Sequence, residues 1–482
     1  MTKHVAVELL PLEVFRRSRR RGGHDLIFGI ASQILQMGSG LIILPIVIAT
    51  LAPHEVGFWY VFMTIQSMVY LLDFGFVPTI SRNFNYIFAG ADVIHSDRLP
   101  TQTKQGLVNL SLLQGLLTSS RNVYRLMALA VGLGLGTIGS LYINKLVQDS
   151  PPIANIWLDW GFFGAALVFH TYYQWQISVL TGADRIRETY EVAIVSRGFQ
   201  VVVSIIGLAI VPSVTTLVVA YVLSALVMRL HLYFCMRDIL RRVKTVPHLN
   251  FAAQLDLFMT LWTNTWRQGV VLMSFFLIGR FNVLVIAAYL GVVASGQFSI
   301  AAQALLAITG VAHVLANNAY PKIVNAKVHA DFQRVKKLLS AGAVFMWTAY
   351  ICGAICLIAL GPFLISLLKD STALPTTQVL LLMAFAGFVE SNLQLFCHVI
   401  TADNKVPFLW AYIISGTLIT AGNILAGQFG MPLEAFVLIQ ICVQLCYNAW
   451  RWPLMALHDS HLRLHEIPRL SVRGLRSLLS SS

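Results

Sequence analysis

Leu51-Ala52-Pro53-His54-Glu55-Val56-Gly57-Phe58-Trp59 is a short turn between two long apolar runs. Its outline returns in the second half, where Leu290-Gly291 is followed by Gly296-Gln297-Phe298. From Leu51 to Leu290 and from Gly57 to Gly296 the offset is 239 residues, close to half the chain. The run after each turn ends on a Pro-x-Ile element, Pro78-Thr79-Ile80 and Pro321-Lys322-Ile323. Tight turns favour glycine anyway, but that preference does not explain the shared order and spacing. The pattern reads as an internal repeat of two halves with like orientation, a plan common among secondary transporters whose substrate site lies between the halves.

The runs flanking the turn are long enough to cross a bilayer, which takes about 20 mostly apolar residues. Spans are expected near 25–51, 56–79, 123–147, 154–180, 190–212 and 214–234. The second half gives 258–289, 294–318, 340–367, 374–400, 406–427 and 431–454. The expected fold is therefore an all-α integral membrane protein of about twelve transmembrane helices in two six-helix lobes related by the repeat. The corresponding segments are a basic tail (1–24), a first lobe (25–234), a connector (235–257), a second lobe (258–454) and a basic tail (455–482).

Composition agrees. Hydrophobic residues make up 57% of the chain and charged residues 11%, with mean hydropathy +0.72. Water-soluble domains carry about 25% charged residues, and each charge in a bilayer core costs roughly 2.5–3.5 kcal/mol on insertion scales. The net charge of +13 sits in short clusters between apolar runs, the arrangement of loops beside anionic headgroups. No basic soluble domain is present to bind nucleic acid, and that function is excluded. The six cysteines form no CxxC, and Cys352/Cys356 and Cys442/Cys446 have helical spacing inside apolar runs, so they read as small apolar fillers.

Lys and Arg set the orientation. The first tail holds Lys3 and the Arg16–Arg21 cluster, and the apolar segment after it is too long for a cleaved signal peptide. Alternate loops then carry Arg82, Arg98, Lys104 and Arg121; Arg185 and Arg187; Arg237, Arg241, Arg242 and Lys244; Lys322, Lys327, Arg334, Lys336 and Lys337; and Lys405. The intervening loops hold little beyond Lys145 and Lys369. Both ends are expected in the cytoplasm of a bacterial inner membrane. The Leu107–Leu117 run in the long loop is expected to lie as an amphipathic helix on the membrane surface. The glycine-rich Val131–Gly139 stretch predicts close helix packing in the third span.

Leu44-Pro45, the turn through Trp59, the element Leu71-Leu72-Asp73-Phe74-Gly75-Phe76 and the closing Ser81-Arg82 together resemble the start of polysaccharide transporters. The pattern is similar to the O-antigen and lipid-linked oligosaccharide flippases of the multidrug/oligosaccharidyl-lipid/polysaccharide (MOP) exporter superfamily. Ala52 stands where the family usually has Gly, and Val56 where it has an aromatic residue. Tyr320-Pro321-Lys322 matches the family's later Y-P-[RK], whereas Arg280-Phe281-Asn282 stands where members often carry Asp. The resemblance implies a flippase that moves an undecaprenyl-pyrophosphate-linked glycan from the inner to the outer leaflet. It also implies polysaccharide polymerase and chain-length machinery as partners, and no cofactor beyond proton or sodium coupling.

Polar residues inside spans usually face the bundle interior or a watery cavity. Gln33 and Gln36 share a face of the first span, and Asn264, Arg267, Arg280 and Asn282 lie in the seventh. Arg267 and Asn282 fall about 60° apart on a helical wheel, with Arg280 elsewhere. Arginine's planar fork suits pyrophosphate or an acidic sugar; an ion pair from Arg267 to Glu390 is the structural alternative. Asp73 with Arg82 is either a helix-end pair or a gating and ion-coupling element, and Glu390 is the better coupling candidate. His170, His313 and His398 read as hydrogen-bonded packing residues. The Tyr172–Gln176 stretch suits either a glycan path or an interfacial belt.

Two other classes compete with a flippase. One is an ion-coupled drug or metabolite exporter of related fold. The other is a membrane polysaccharide polymerase or glycosyltransferase, which would need a large outer loop or soluble domain that the sequence lacks. No G-x-x-x-x-G-K-[ST] is present for nucleotide hydrolysis.

Overall fold

Pro53 opens a helix where its missing N–H costs nothing, and the Glu55 carboxylate accepts the Ala52 N–H at 2.9 Å across the first turn. The repeat partner starts by different chemistry: Gly291 sits at φ +88°, a backbone that side-chain-bearing residues avoid, and releases the next helix at Val292. In both halves a second helix follows a break, at Leu72–Gly75 in one and at His313 in the other.

The computed structural model describes residues 9–11, 35, 39–73, 75–91, 107–243, 269–270, 272–329, 331–367, 374–402 and 407–472. The elements before the midpoint are β1 (Leu9–Pro11), α1 (Ser39–Thr50), α2 (Pro53–Leu71), α3 (Phe76–Phe88), β2 (Leu107–Asn109) and α4 (Leu110–Gly134). A π-turn at Leu135–Gly139 joins α4 to α5 (Ser140–Gln148), and α6 (Ile156–Tyr173), α7 (Trp175–Gly182), α8 (Ile186–Ile210) and α9 (Val214–Val243) follow. After the midpoint come α10 (Leu272–Leu290), α11 (Val292–Ala312), α12 (Val314–Val328), α13 (Phe332–Ser366) and α14 (Thr377–Thr401). The last helices are α15 (Leu409–Gln428), α16 (Leu433–Cys446) and α17 (Asn448–Asp459).

Among the described residues, nine helical stretches are long and apolar enough to cross a membrane, and the pair α2–α3, bent by 41° at its break, reaches the same length and apolarity when counted as one. Ten of the twelve expected spans coincide with a described helix or pair of helices, the fourth through α6–α7; of the first and seventh only the parts in α1 and α10 lie within the described residues. Exposed Leu126, Leu129, Leu133, Ile138 and Leu141 stud α4 and α5, an apolar surface that only lipid or another protein can cover.

The chain packs as two units, Met1–Ile46 with Ile65–Leu272, and Val47–Thr64 with Met273–Ser482. Val47–Thr64, sequentially inside the expected first lobe, packs with the second unit. There α2 meets α11 through the two repeat glycines. A Cβ built on Gly57 falls 1.9 Å from the Val292 carbonyl oxygen, and one on Gly296 falls 3.1 Å from the Gly57 Cα. Tyr60 Oη donates to Gln303 Oε1 at 2.6 Å further along the same two helices. The two repeat glycines thus lie together where α2 and α11 cross.

In the first unit, α8 runs along α9, α3 packs on α7, and α6 packs on both α4 and α9. The Leu107–Leu117 stretch corrects an expectation. It is not a surface helix: β2 pairs antiparallel with β1, Leu9 opposite Asn109, and the Asn109 side chain caps α4 by accepting the Leu112 N–H at 3.1 Å. Leu110, Leu113, Leu116 and Leu117 are buried with Phe84, Ile87 and Leu180 in the unit's core. The run is amphipathic because one face of α4 meets protein there. The glycine-rich stretch is split: Gly139 lies against Trp160 of α6, whereas nothing approaches Gly134 or Gly136.

In the second unit, α11 and α14 pack on α13, while α16 and α17 pack on α14. Their apolar faces enclose one core that includes Ile286, Ala301, Met346, Leu393, Phe396, Tyr412 and Phe436.

Candidate functional site

Asp73 lies in the break between α2 and α3. Its Oδ2 accepts the Val77 N–H at 3.1 Å, and its Oδ1 accepts a short hydrogen bond from the buried Tyr124 hydroxyl of α4. Arg82 is exposed on α3 and forms no ion pair with Asp73. This geometry is that of a helix cap tied to a neighbouring helix. Asp73→Ala removes a cap, about 0.5–2 kcal/mol, and orphans a buried hydroxyl, about 1–3 kcal/mol more. Asp73→Asn keeps an acceptor for Tyr124, so its thermal midpoint is expected to fall well short of the Ala variant's drop. Equal losses in both variants would instead point to the charge as the essential property.

A second polar group of the first unit joins four helices. Gln66 Nε2 donates to Tyr70 Oη at 2.8 Å and to Tyr221 Oη at 3.0 Å. The His170 ring stacks 5.1 Å from Tyr70, and its Nδ1 has no hydrogen-bond partner among the described residues. Arg197 on α8 lies within electrostatic reach of His170 and Tyr221. Sequence reasoning passed over Arg197, although a lone Arg inside the 190–212 span is a visible signal.

In the Tyr172–Gln176 stretch, by contrast, three side chains are engaged within the unit, while Gln174 Oε1 and Trp175 Nε1 are buried without a partner among the described residues. Arg229 lies 4.0 Å over the Tyr173 ring and donates to Gln176 Oε1 at 3.0 Å, and Arg121 donates to Tyr172 Oη at 3.1 Å.

The second unit contains the longest polar chain. Gln444 Nε2 donates to Glu390 Oε2 at 3.0 Å, and Asn448 Nδ2 donates to Gln444 Oε1 at 2.7 Å and to Ser415 Oγ at 2.8 Å. Trp452 Nε1 donates to Asn448 Oδ1 at 2.8 Å. One turn from Gln444, Gln440 accepts from Asn282 at 3.3 Å, and Asn282 accepts from Asn423 at 2.8 Å. His313 Nε2 meets Ser391 Oγ at 2.9 Å.

Glu390, Ser391, Gln394, Gln440 and Thr309 line a pocket of about 200 Å³ together with apolar groups such as Phe298, Leu305 and Met383. That volume holds several waters, a cation with its hydration or a small organic group. Among the described residues Glu390 has no cationic partner. Of the expected site residues, Glu390 lines this pocket, and Asn282, buried beside it, donates to the lining residue Gln440. Arg280 is exposed at the turn within α10, next to Gly279, which also lines the cavity. Gln33, Gln36, Asn264 and Arg267 lie outside the described residues. No group of three or more His, Cys, Asp or Glu among the described residues is arranged to hold a metal ion.

No family sequence profile and no curated protein sequence matches the chain. Solved structures do. The lipid II flippase MurJ, in an inward closed conformation, superimposes with a TM-score of 0.61 at 14% identity, covering 94% of this chain and 92% of that one. An inward-facing multidrug resistance MATE transporter of the MOP superfamily gives 0.56 at 12% identity over 92% and 98%. A Vibrio cholerae MATE transporter gives 0.52 at 12% identity over 93% and 97%. The chain shares the fold of these structures and is a multi-pass membrane protein; these structural neighbours are transporters and flippases rather than enzymes.

Proposed function

We propose that this chain is a flippase that carries a polyprenyl-pyrophosphate-linked oligosaccharide across a bacterial inner membrane for surface polysaccharide assembly. The observation that carries the reading is the likeness of nearly the whole chain to a lipid II flippase. It is joined by the turn and L-x-D-x-G element that resemble lipid-linked oligosaccharide flippases. The halves alternate access to a cationic path to which Arg267 and Arg280 contribute, while the lipid tail stays in the bilayer. Glu390 and its cavity take up the coupling ion, a proton or sodium, and the product passes to polymerase and chain-length machinery outside.

The test is deletion with leaflet-resolved lipid analysis. Undecaprenyl-pyrophosphate-linked glycan should accumulate in the inner leaflet and surface polysaccharide should fall. Normal surface glycan together with raised drug sensitivity would favour the second reading, an ion-coupled exporter. One observation supports that alternative: the Glu390 pocket, of about 200 Å³, suits an ion or a small molecule.

A further inference from the structure

Arg197 is seven residues into the expected span of 190–212, roughly 10 Å along α8 from the start of the span and beyond the charged first turns that hold Arg187, Glu188 and Glu191. An arginine at such depth is costly and is retained where it faces a partner or a pathway. Here the partner is weak. Its one described hydrogen bond is to Gln200 Oε1 at 3.4 Å, along its own helix, and no carboxylate pairs with it among the described residues. Arg229, one helix later, shows what a satisfied membrane arginine looks like in this same unit: an aromatic face beneath it and a 3.0 Å amide oxygen.

The groups around Arg197 are those that bind an anionic, hydroxyl-rich headgroup. His170 offers a ring nitrogen with no partner among the described residues. Tyr70 and Tyr221 present hydroxyls 3.4 Å apart, held there by the Gln66 amide. The four supporting residues come from α2, α6 and α9, so the geometry is fixed by packed helices rather than by a loop.

We propose that Arg197, with His170, Tyr70 and Tyr221, forms an oxyanion-recognition subsite that takes an acidic group of the cargo, either the phosphate of the lipid linkage or a sugar carboxylate. The guanidinium supplies a two-pronged, permanently charged donor pair that matches either oxyanion. This assignment rests on the transporter reading but is tested without transport.

The experiment is calorimetric titration of the full chain in lipid nanodiscs with inorganic pyrophosphate, glucuronate and glucose. One of the two anions should bind, glucose should bind far more weakly, and Arg197→Gln should weaken the anion at least tenfold. Arg197→Lys, which keeps the charge but loses the fork, should fall between. Arg229→Gln should bind like the parent. Dependence on Arg197 for pyrophosphate assigns the subsite to the linkage; dependence for glucuronate assigns it to the sugar. Unchanged anion affinity in Arg197→Gln overturns the proposal. If that variant does not fold, parent-like affinity of Arg197→Lys together with His170→Asn overturns it instead. A flippase test that fails while anion binding still depends on Arg197 removes the proposed cargo and leaves the subsite standing.

Discussion

Gly57→Ala is expected to be among the most damaging single-methyl additions in the molecule, and Gly296→Ala close to neutral. In an unstrained helix, replacing glycine by alanine gains about 0.8–1.0 kcal/mol. At Gly57 that gain is overwhelmed, because the new Cβ would fall 1.9 Å from the Val292 carbonyl oxygen and 2.5 Å from its carbon. The obstacle is backbone and cannot turn aside, so α2 and α11 must separate by more than 1 Å. Overpacking of a close-packed contact costs about 1–3 kcal/mol and sometimes more, and here it also pulls on the Tyr60–Gln303 bond at 2.6 Å. At Gly296 the nearest atom is 3.1 Å away, a matter of a few tenths of an ångström that helix propensity can offset. Gly134→Ala and Gly136→Ala, where nothing lies within 4 Å, serve as controls and should hold or slightly raise the thermal midpoint. A Gly57→Ala protein that melts with the parent would show that the two repeat helices do not need this contact.

The same contact shows how sequence and structure relate in this chain. The turn, its second copy and the long apolar runs follow from backbone chemistry and bilayer thickness, both of which leave a periodic trace, so the span plan was legible. The packing partner of each face was not. Hydropathy sees that Leu107–Leu117 is amphipathic but cannot tell whether its apolar side meets lipid or Phe84 and Leu180. Nor can it tell Gly139, pressed against Trp160, from Gly136 three residues earlier in open space. Among the polar residues, Glu390 and Asn282 stood out by type, whereas Gln440, Gln444 and Asn448 did not. Amides acquire meaning only when tertiary packing aligns them. Arg197 was hidden for another reason: counting Lys and Arg to orient loops draws attention away from a cation inside a span.

That alignment of amides carries the second large effect, at Glu390. An indole N–H can only donate, so Trp452 commits Asn448 Oδ1 at 2.8 Å, and the Asn448 amide nitrogen must face Gln444 Oε1 at 2.7 Å. Gln444 is then left with its own nitrogen toward Glu390 Oε2 at 3.0 Å. The direction of the whole chain is fixed from the indole outward and ends on an acceptor at position 390. Glu390→Gln can satisfy that donor with its carbonyl oxygen, so the fold should persist with a thermal midpoint near the parent's. What it cannot do is carry a negative charge at the cavity wall. If ion coupling runs through this residue, transport into proteoliposomes under an imposed proton or sodium gradient should fall at least tenfold, and the residual rate should lose its dependence on the gradient. Gln444→Leu should show the opposite pattern: it orphans buried polar groups on both sides, at about 1–3 kcal/mol, and lowers the midpoint before any question of coupling arises. Full gradient-driven transport by a well-folded Glu390→Gln protein would remove the carboxylate from the coupling mechanism and leave it as one end of a structural chain that begins at Trp452.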